Sequence, residues 1–145
     1  MEIEPKRYKQ IRELALEYHR LFQTRNALIV FSRQKDINCS VLNLTGDLGG
    51  FVHMGLHNGI DACHVYINAK YDLYSQKIIA AHELGHIVLH RHDLMNMFAE
   101  NNKESEQIRE YEANVFAMEF MSYIQPQQEN YLNYSKVQFT RDYTG

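Results

Sequence analysis

The chain has 145 residues, 45% of them hydrophobic, so we expect one domain over residues 1–145, with a core at about 6–124 and a C-terminal tail at 125–145. A net charge of −3 gives no electrostatic footprint for nucleic acid, and no apolar run is long enough to cross a membrane. Because the charged start of the sequence is unlike a secretory signal, we expect a cytoplasmic protein without a nucleic-acid or membrane partner.

The first half of the chain predicts one helix followed by short strands. Apolar residues recur at helical spacing over residues 6–22, which predicts a helix with one face on the core. Residues 27–31 are apolar but too few for a helix, so we predict a strand or a buried connector. Further strands are predicted at residues 41–44, 51–56 and 62–68, and Asn58-Gly59 is a hairpin signal between the last two. The expected fold class is α+β, with a small antiparallel sheet beside a zincin-type helical pair and the N-terminal helix.

The most informative motif is His82-Glu83-Leu84-Gly85-His86, which has the HExxH spacing of metallopeptidases. Residues four apart share one face of a helix, so His82 and His86 could bind one metal ion at about 2.0–2.1 Å. Glu83 would lie about 100° around the helix from His82, where it could move a proton from water to the departing amine. The flanking residues are largely apolar and lack proline, which favours the required helix. The ligand types favour one Zn²⁺ per chain, with Mn²⁺ as a substitute in vitro.

A catalytic zinc normally has three protein ligands, so the motif needs one more. His90 lies about 12 Å along the helix axis from His82, which is too far for the same ion. His92 has the position of the third histidine in metzincins, but Leu89 replaces the glycine that would let the chain turn back.

A second predicted helix, after a polar connection at residues 91–107, offers Glu110 and Glu112 as candidates for the third ligand. Glu110 lies nearer the centre of its apolar face, so we predict Glu110 as the ligand and retain Glu112 and His92 as alternatives. That face is formed by Ala113, Phe116, Ala117, Phe120, Met121 and Ile124. The small Ala113 and Ala117 would let the two helices approach closely, and Asn114 could hydrogen-bond a ligand histidine.

Two segments carry a family resemblance. AHELGHIVLH at residues 81–90 and EYEANVFA at residues 110–117 together resemble the ImmA/IrrE family of metallopeptidases. The resemblance extends over about residues 10–122 and includes a strand that ends in Asn68, but it departs from the family pattern at residues 120–123. In related gluzincins the glutamate ligand stands four residues before the asparagine, a position that matches Glu110.

The resemblance implies an intracellular zinc endopeptidase that cleaves a regulatory protein. The expected target is a helix-turn-helix repressor of a phage or mobile element, and it would be a separate polypeptide. One alternative is a metal-containing binding module that sequesters its partner without proteolysis. Another is a metal-dependent toxin or stress-signal component with a different hydrolytic target.

The strand before the HExxH helix is predicted to hold the substrate. In zinc peptidases of this general architecture, such a strand pairs with an extended peptide, and we assign this role to residues 64–68. His64, Tyr66 and Asn68 alternate onto one side of that strand and could face the cleft. Cys39 and Cys63 lack metal-binding or redox spacing and are expected to be small hydrophobic residues.

Overall fold

The computed structural model describes residues 3–57, 60–95 and 103–122, which form four helices and one three-stranded sheet. The helices are α1 (Pro5–Phe22), α2 (Ala27–Arg33), α3 (Leu73–Met95) and α4 (Lys103–Met121), and the strands are β1 (Ile37–Leu42), β2 (Gly50–His57) and β3 (Ile60–Asn68). This combination of helices and strands confirms the predicted α+β class. The Asn58-Gly59 turn and the tail at 125–145 lie outside the described residues. Among the described helices, none has the length and apolar character needed to span a membrane.

The helices depart from the sequence prediction at residues 27–31 and at the predicted connection 91–107, whose ends at 91–95 and 103–107 belong to α3 and α4. Helix α1 matches the predicted range within one residue at its start, and it buries Ile11 and Ala15 completely. The prediction of a strand or connector at residues 27–31 is wrong, because these residues begin α2. The side chain of Asn26 caps this helix by accepting a hydrogen bond from the backbone N–H of Leu28 (3.0 Å). The i, i+3, i+4 spacing of its buried residues completes one helical face.

Strand β3 is the central strand of the sheet. It pairs in parallel with β1 and antiparallel with β2, so the order is β1-β3-β2 and the sheet is mixed rather than wholly antiparallel as predicted. Both edges of β3 are therefore occupied, and the prediction that residues 64–68 pair with a substrate is wrong. Val65 and Ile67 are fully buried, which places His64 and Tyr66 on the other face of the strand.

Asn68 has a structural role at the end of β3. Its side chain is fully buried, accepts hydrogen bonds from the backbone N–H groups of Leu44 (3.3 Å) and Lys70 (3.1 Å), and donates one to the carbonyl of Leu48 (2.7 Å). These bonds join the segments that follow β1, precede β2 and lead into α3. The expectation that Asn68 faces a cleft is therefore wrong.

Two glycines permit the close contacts around α3. A Cβ atom on Gly50 would lie 2.9 Å from Cγ2 of Ile79, so the start of β2 packs directly on α3. A Cβ atom on Gly85 would lie 3.1 Å from the carbonyl oxygen of Ala113 and 3.1 Å from Cβ of Phe116. The close approach of the two helices that Ala113 predicted is thus confirmed, and it places the first half of α4 beside the HExxH motif.

Candidate metal centre

Three side chains converge where α3 faces α4. Nε2 of His82 lies 2.9 Å from Oε2 of Glu110, Nε2 of His86 lies 3.0 Å from Oε1 of Glu110, and the two Nε2 atoms are 3.1 Å apart. In a tetrahedral site with ligands about 2.0–2.1 Å from zinc, the ligand atoms lie about 3.3 Å from one another. Because Glu110 turns a different oxygen toward each histidine, these distances connect four atoms, and we refer to the three side chains His82, His86 and Glu110 as the triangle. The distances are slightly shorter than the ligand separations of a zinc site, and two imidazoles with a carboxylate are a donor set that zinc accepts.

Burial and charge prepare these groups for a cation. Burial lowers the pKa of His86 to about 3, which keeps the imidazole in the neutral form that binds metals. Burial also opposes protonation of His82, but the hydrogen bond to Glu110 and the charges of Glu110 and Glu83 outweigh it and raise the pKa of His82. Burial alone would raise the pKa of Glu110, but its hydrogen bonds with both histidines hold that pKa well below the ordinary value.

Asn114 contacts the first histidine from the opposite end of the ring. Its Oδ1 atom lies 2.7 Å from Nδ1 of His82, which confirms the contact expected from the sequence. Because a carbonyl oxygen can only accept a hydrogen bond, Nδ1 of His82 carries the proton. Nε2 of His82 is therefore the nitrogen that would offer its lone pair to a metal ion that displaces the proton shared with Glu110.

Glu83 is buried beside His82, with 2% of its surface exposed. Its negative charge is one of the causes of the raised pKa of His82, the residue that precedes it in α3. A buried carboxylate next to a potential metal site is well placed for proton transfer.

Glu112, one of the two alternative ligands, lies elsewhere. Its Oε1 atom is 2.9 Å from Nε2 of His90, and the same carboxylate forms an ion pair with Arg7. The helical wheel therefore selected the carboxylate that lies beside both histidines. The side chain of His92 lies outside the described residues.

Sequence reasoning missed two residues near the triangle. The HExxH pattern leaves the residue at position 85 open, but the lack of a side chain on Gly85 allows α4 to approach. His90 is too far along the helix to share an ion with His82, but it contacts His86 directly, which the sequence analysis does not predict. The four-residue spacing from His86 to His90 was the available signal, since side chains at i and i+4 on a helix are neighbours.

Together these features define a candidate mononuclear metal centre of two histidines and one glutamate, held between an HExxH helix and the next helix. A family model described as the IrrE N-terminal-like domain, of peptidase group M78, matches residues 48–136. This match covers more than half of the chain, and the chain belongs to that peptidase family. The matched range contains β2, β3, α3 and α4, whereas α1, α2 and β1 precede it. Neither the comparison with curated proteins nor that with solved structures gave a match.

Proposed function

We propose that this protein is a zinc-dependent endopeptidase in which His82, His86 and Glu110 hold the metal ion. The observation that supports this proposal best is the triangle of side chains, in which the Nε2 atoms of His82 and His86 lie 2.9 and 3.0 Å from the two oxygens of Glu110 and 3.1 Å from each other. Its size suits one small divalent cation, and it is built on the HExxH motif of a chain that belongs to a peptidase family. Mn²⁺ could replace Zn²⁺ in vitro, because the same donors accept it.

Glu83 is the proposed catalytic residue. When bound, the metal ion would polarise the scissile carbonyl and make a water molecule more acidic. Glu83 would accept a proton from the attacking water and deliver it to the nitrogen of the departing amine. Its burial supports this role, because exclusion of bulk water strengthens the interaction between the carboxylate and the reacting groups.

The outer edge of β2 is the proposed site for the substrate backbone. Both edges of β3 are paired, whereas β2 pairs only with β3 among the described strands. The contact between Gly50 and Ile79 brings the start of β2 against α3 one turn before His82. A peptide added to this edge in extended form would be held through its backbone near the triangle.

For the substrate we propose a regulatory protein, specifically a helix-turn-helix repressor of a phage or mobile element. This proposal is based on the resemblance of residues 81–90 and 110–117 to the ImmA/IrrE family and on the membership of the chain in the IrrE-like family. The repressor would be recognised as a separate polypeptide.

The decisive experiment compares the wild-type protein with Glu83→Gln. Both proteins are incubated with native cell extract, with and without a chelator, and new protein N-termini are identified by mass spectrometry. We expect chelator-sensitive cleavage by the wild type and none by Glu83→Gln, although both retain one metal ion per chain. Glu104→Gln is a matched control, because it makes the same chemical change at an exposed position of α4.

Two outcomes would overturn the proposal. The first is the absence of a bound ion in the purified wild type together with no affinity for added Zn²⁺ or Mn²⁺. The second is release of repression by Glu83→Gln as efficient as by the wild type, because that result would indicate sequestration of the partner rather than proteolysis.

A further inference from the structure

A chain of contacts continues from the triangle to the N-terminal helix. Nδ1 of His86 lies 3.0 Å from Nδ1 of His90, and Nε2 of His90 lies 2.9 Å from Oε1 of Glu112. The guanidinium group of Arg7 in α1 then contacts both oxygens of Glu112, at 2.8 Å through Nε and 3.0 Å through Nη2. Four side chains from three helices, beginning with His86, therefore connect the triangle to α1.

The order of donors and acceptors along this chain follows from its two ends. Arg7 only donates, and its guanidinium group contacts both oxygens of Glu112, so the carboxylate only accepts. Nε2 of His90 then donates to Glu112. With a single ring proton, on Nε2, His90 has an acceptor at Nδ1, and Nδ1 of His86 donates to it.

This order leaves His86 in the tautomer that a metal site needs. With its proton on Nδ1, His86 would offer a lone pair on Nε2 to a metal ion that replaces the contact between Nε2 and Glu110 (3.0 Å). Asn114 favours the same tautomer of His82 through a carbonyl oxygen. In the metal-bound state the two histidines would thus carry their protons on the same ring atom, held by partners of different chemistry.

The burial of His90 makes this arrangement energetically significant. His90 has 4% of its surface exposed, and its ring lies at a kink of α3, where the backbone leaves helical geometry (φ −125°, ψ 17°). A buried imidazole is costly unless both nitrogens are hydrogen-bonded, and here one nitrogen is satisfied by α3 and the other by α4. Loss of His90 would leave the Nδ1–H of His86 without its acceptor in a buried site.

We propose that His90 is a positioning residue of the metal centre, which holds His86 in its metal-binding tautomer and is itself oriented by Glu112 and Arg7. This inference rests on the proposed metal site. Arg7 precedes residues 48–136, so the inference also gives α1 a role in a site whose other members lie within the matched range. Outer partners of ligand histidines typically change metal affinity by about 10–100-fold when they are removed.

The test is a titration with Co²⁺, whose visible absorption reports both affinity and ligand geometry without any measurement of peptidase activity. His90→Phe keeps the ring volume but removes both nitrogens, and we expect about 10–100-fold weaker Co²⁺ binding with an altered spectrum. His90→Gln retains one acceptor and one donor, and we expect it to recover most of the lost affinity. Recovery by glutamine would indicate that hydrogen bonding, rather than ring packing, is the property that matters.

Two variants of α1 test the remote end of the chain. Arg7→Gln removes the ion pair with Glu112 and should weaken Co²⁺ binding, but less than His90→Phe does. Tyr8→Phe is the matched control, because it removes a different bond between α1 and α4, the 2.8 Å hydrogen bond from Tyr8 to Glu119. This bond is not one of the contacts that lead from His86 to Arg7. We expect Tyr8→Phe to bind Co²⁺ as the wild type does.

The outcomes separate the inference from the proposed function. If the wild type does not bind Co²⁺, the proposed metal site is wrong. If the wild type binds but folded His90→Phe has the same affinity and spectrum, the role of His90 is wrong. Should His90→Phe fail to fold, Arg7→Gln still decides: the inference fails if Arg7→Gln binds Co²⁺ as the wild type does, or if Arg7→Gln and Tyr8→Phe weaken binding equally.

Discussion

The side-chain oxygen of Asn114 lies 2.7 Å from Nδ1 of His82, across the ring from the nitrogen that faces Glu110. Asn114 follows Glu110 by one helical turn, so a single face of α4 supplies both the carboxylate and the acceptor for the ring. This relationship determines where the proton of His82 resides, and several measurable consequences follow for the metal site.

Replacement of Asn114 by leucine should weaken Zn²⁺ binding by about 10–100-fold, because His82 loses the acceptor that holds its Nδ1 proton. Asn114→Asp keeps an oxygen at the same place and should bind far better than the leucine variant. Competition with a chromophoric zinc chelator measures the affinities. Met118→Leu, one turn further along α4 at an exposed position, serves as the control. Equal affinity of Asn114→Leu and the wild type would contradict this prediction.

Zinc should stabilise the folded protein in a concentration-dependent way. Above the Kd, the free energy of unfolding should increase by about 1.4 kcal/mol for each tenfold rise in free Zn²⁺, provided that the unfolded chain binds zinc weakly. Urea denaturation in metal-buffered solutions measures this dependence. Glu110→Gln should move its onset to higher Zn²⁺, whereas Glu119→Gln on the same helix should leave the onset unchanged. An onset that Glu110→Gln does not move would argue against Glu110 as a ligand.

Gly85→Ala should damage the metal site more than it damages the fold. The added Cβ would lie 3.1 Å from the carbonyl oxygen of Ala113 and 3.1 Å from Cβ of Phe116, so α4 must shift. Overpacking costs about 1–3 kcal/mol, but alanine regains about 1 kcal/mol of helix propensity, so we expect a net loss of about 0–2 kcal/mol. Because Glu110 moves with α4, Zn²⁺ affinity should decrease by about tenfold or more.

Gly50→Ala provides the contrasting case. Its Cβ would lie 2.5 Å from the carbonyl oxygen of Tyr66 and 2.9 Å from Cγ2 of Ile79, so the sheet rather than α4 must adjust. We expect a loss of about 2–3 kcal/mol in the free energy of unfolding, with a much smaller change in Zn²⁺ affinity than Gly85→Ala causes. The prediction that the Gly50 contact supports the sheet while the Gly85 contact supports the metal site is wrong if both variants reduce Zn²⁺ affinity to the same extent.

The thiol of Cys39 should react slowly in the folded protein. Burial raises the pKa of Cys39 to about 11, so at pH 8 its thiolate fraction is about 200-fold lower than that of an ordinary thiol with a pKa of about 8.5. Iodoacetamide labelling followed by peptide mass spectrometry should therefore show slow modification in buffer and fast modification in urea. Since only the unfolded thiol ionises between about pH 8.5 and 11, the folded state should lose stability as the pH rises through that range. Rapid labelling of Cys39 in buffer would contradict the raised pKa.

The convergence of His82, His86 and Glu110 could be predicted because it depends on local rules. The four-residue spacing places both histidines on one helical face, and the apolar pattern of α4 directs Glu110 toward the same helix. The closeness of the two helices was also predictable from Ala113. The spacing of residues along one helix predicts which of them share a face. For two helices that follow each other in the chain, the apolar faces also predict how the helices pack together.

The pairing in the sheet could not be predicted in the same way. Alternation of apolar and polar residues indicates a strand but does not specify its neighbours, so the parallel pairing of β1 with β3 was missed. Helix α2 was missed because five apolar residues are equally compatible with a strand, and the capping bond from Leu28 to Asn26 decides between them. The Arg7–Glu112 pair joins residues 105 positions apart, and no periodic pattern reports such a contact.

The strand order also has a consequence for synthesis of the protein. β1 and β2 do not pair with each other, because each is hydrogen-bonded to β3, the last of the three to leave the ribosome. A nascent chain that ends before residue 60 therefore contains two strands whose backbone partner has not yet been translated. The next element to emerge after β3 is α3. The sheet therefore becomes complete just before the HExxH helix is translated.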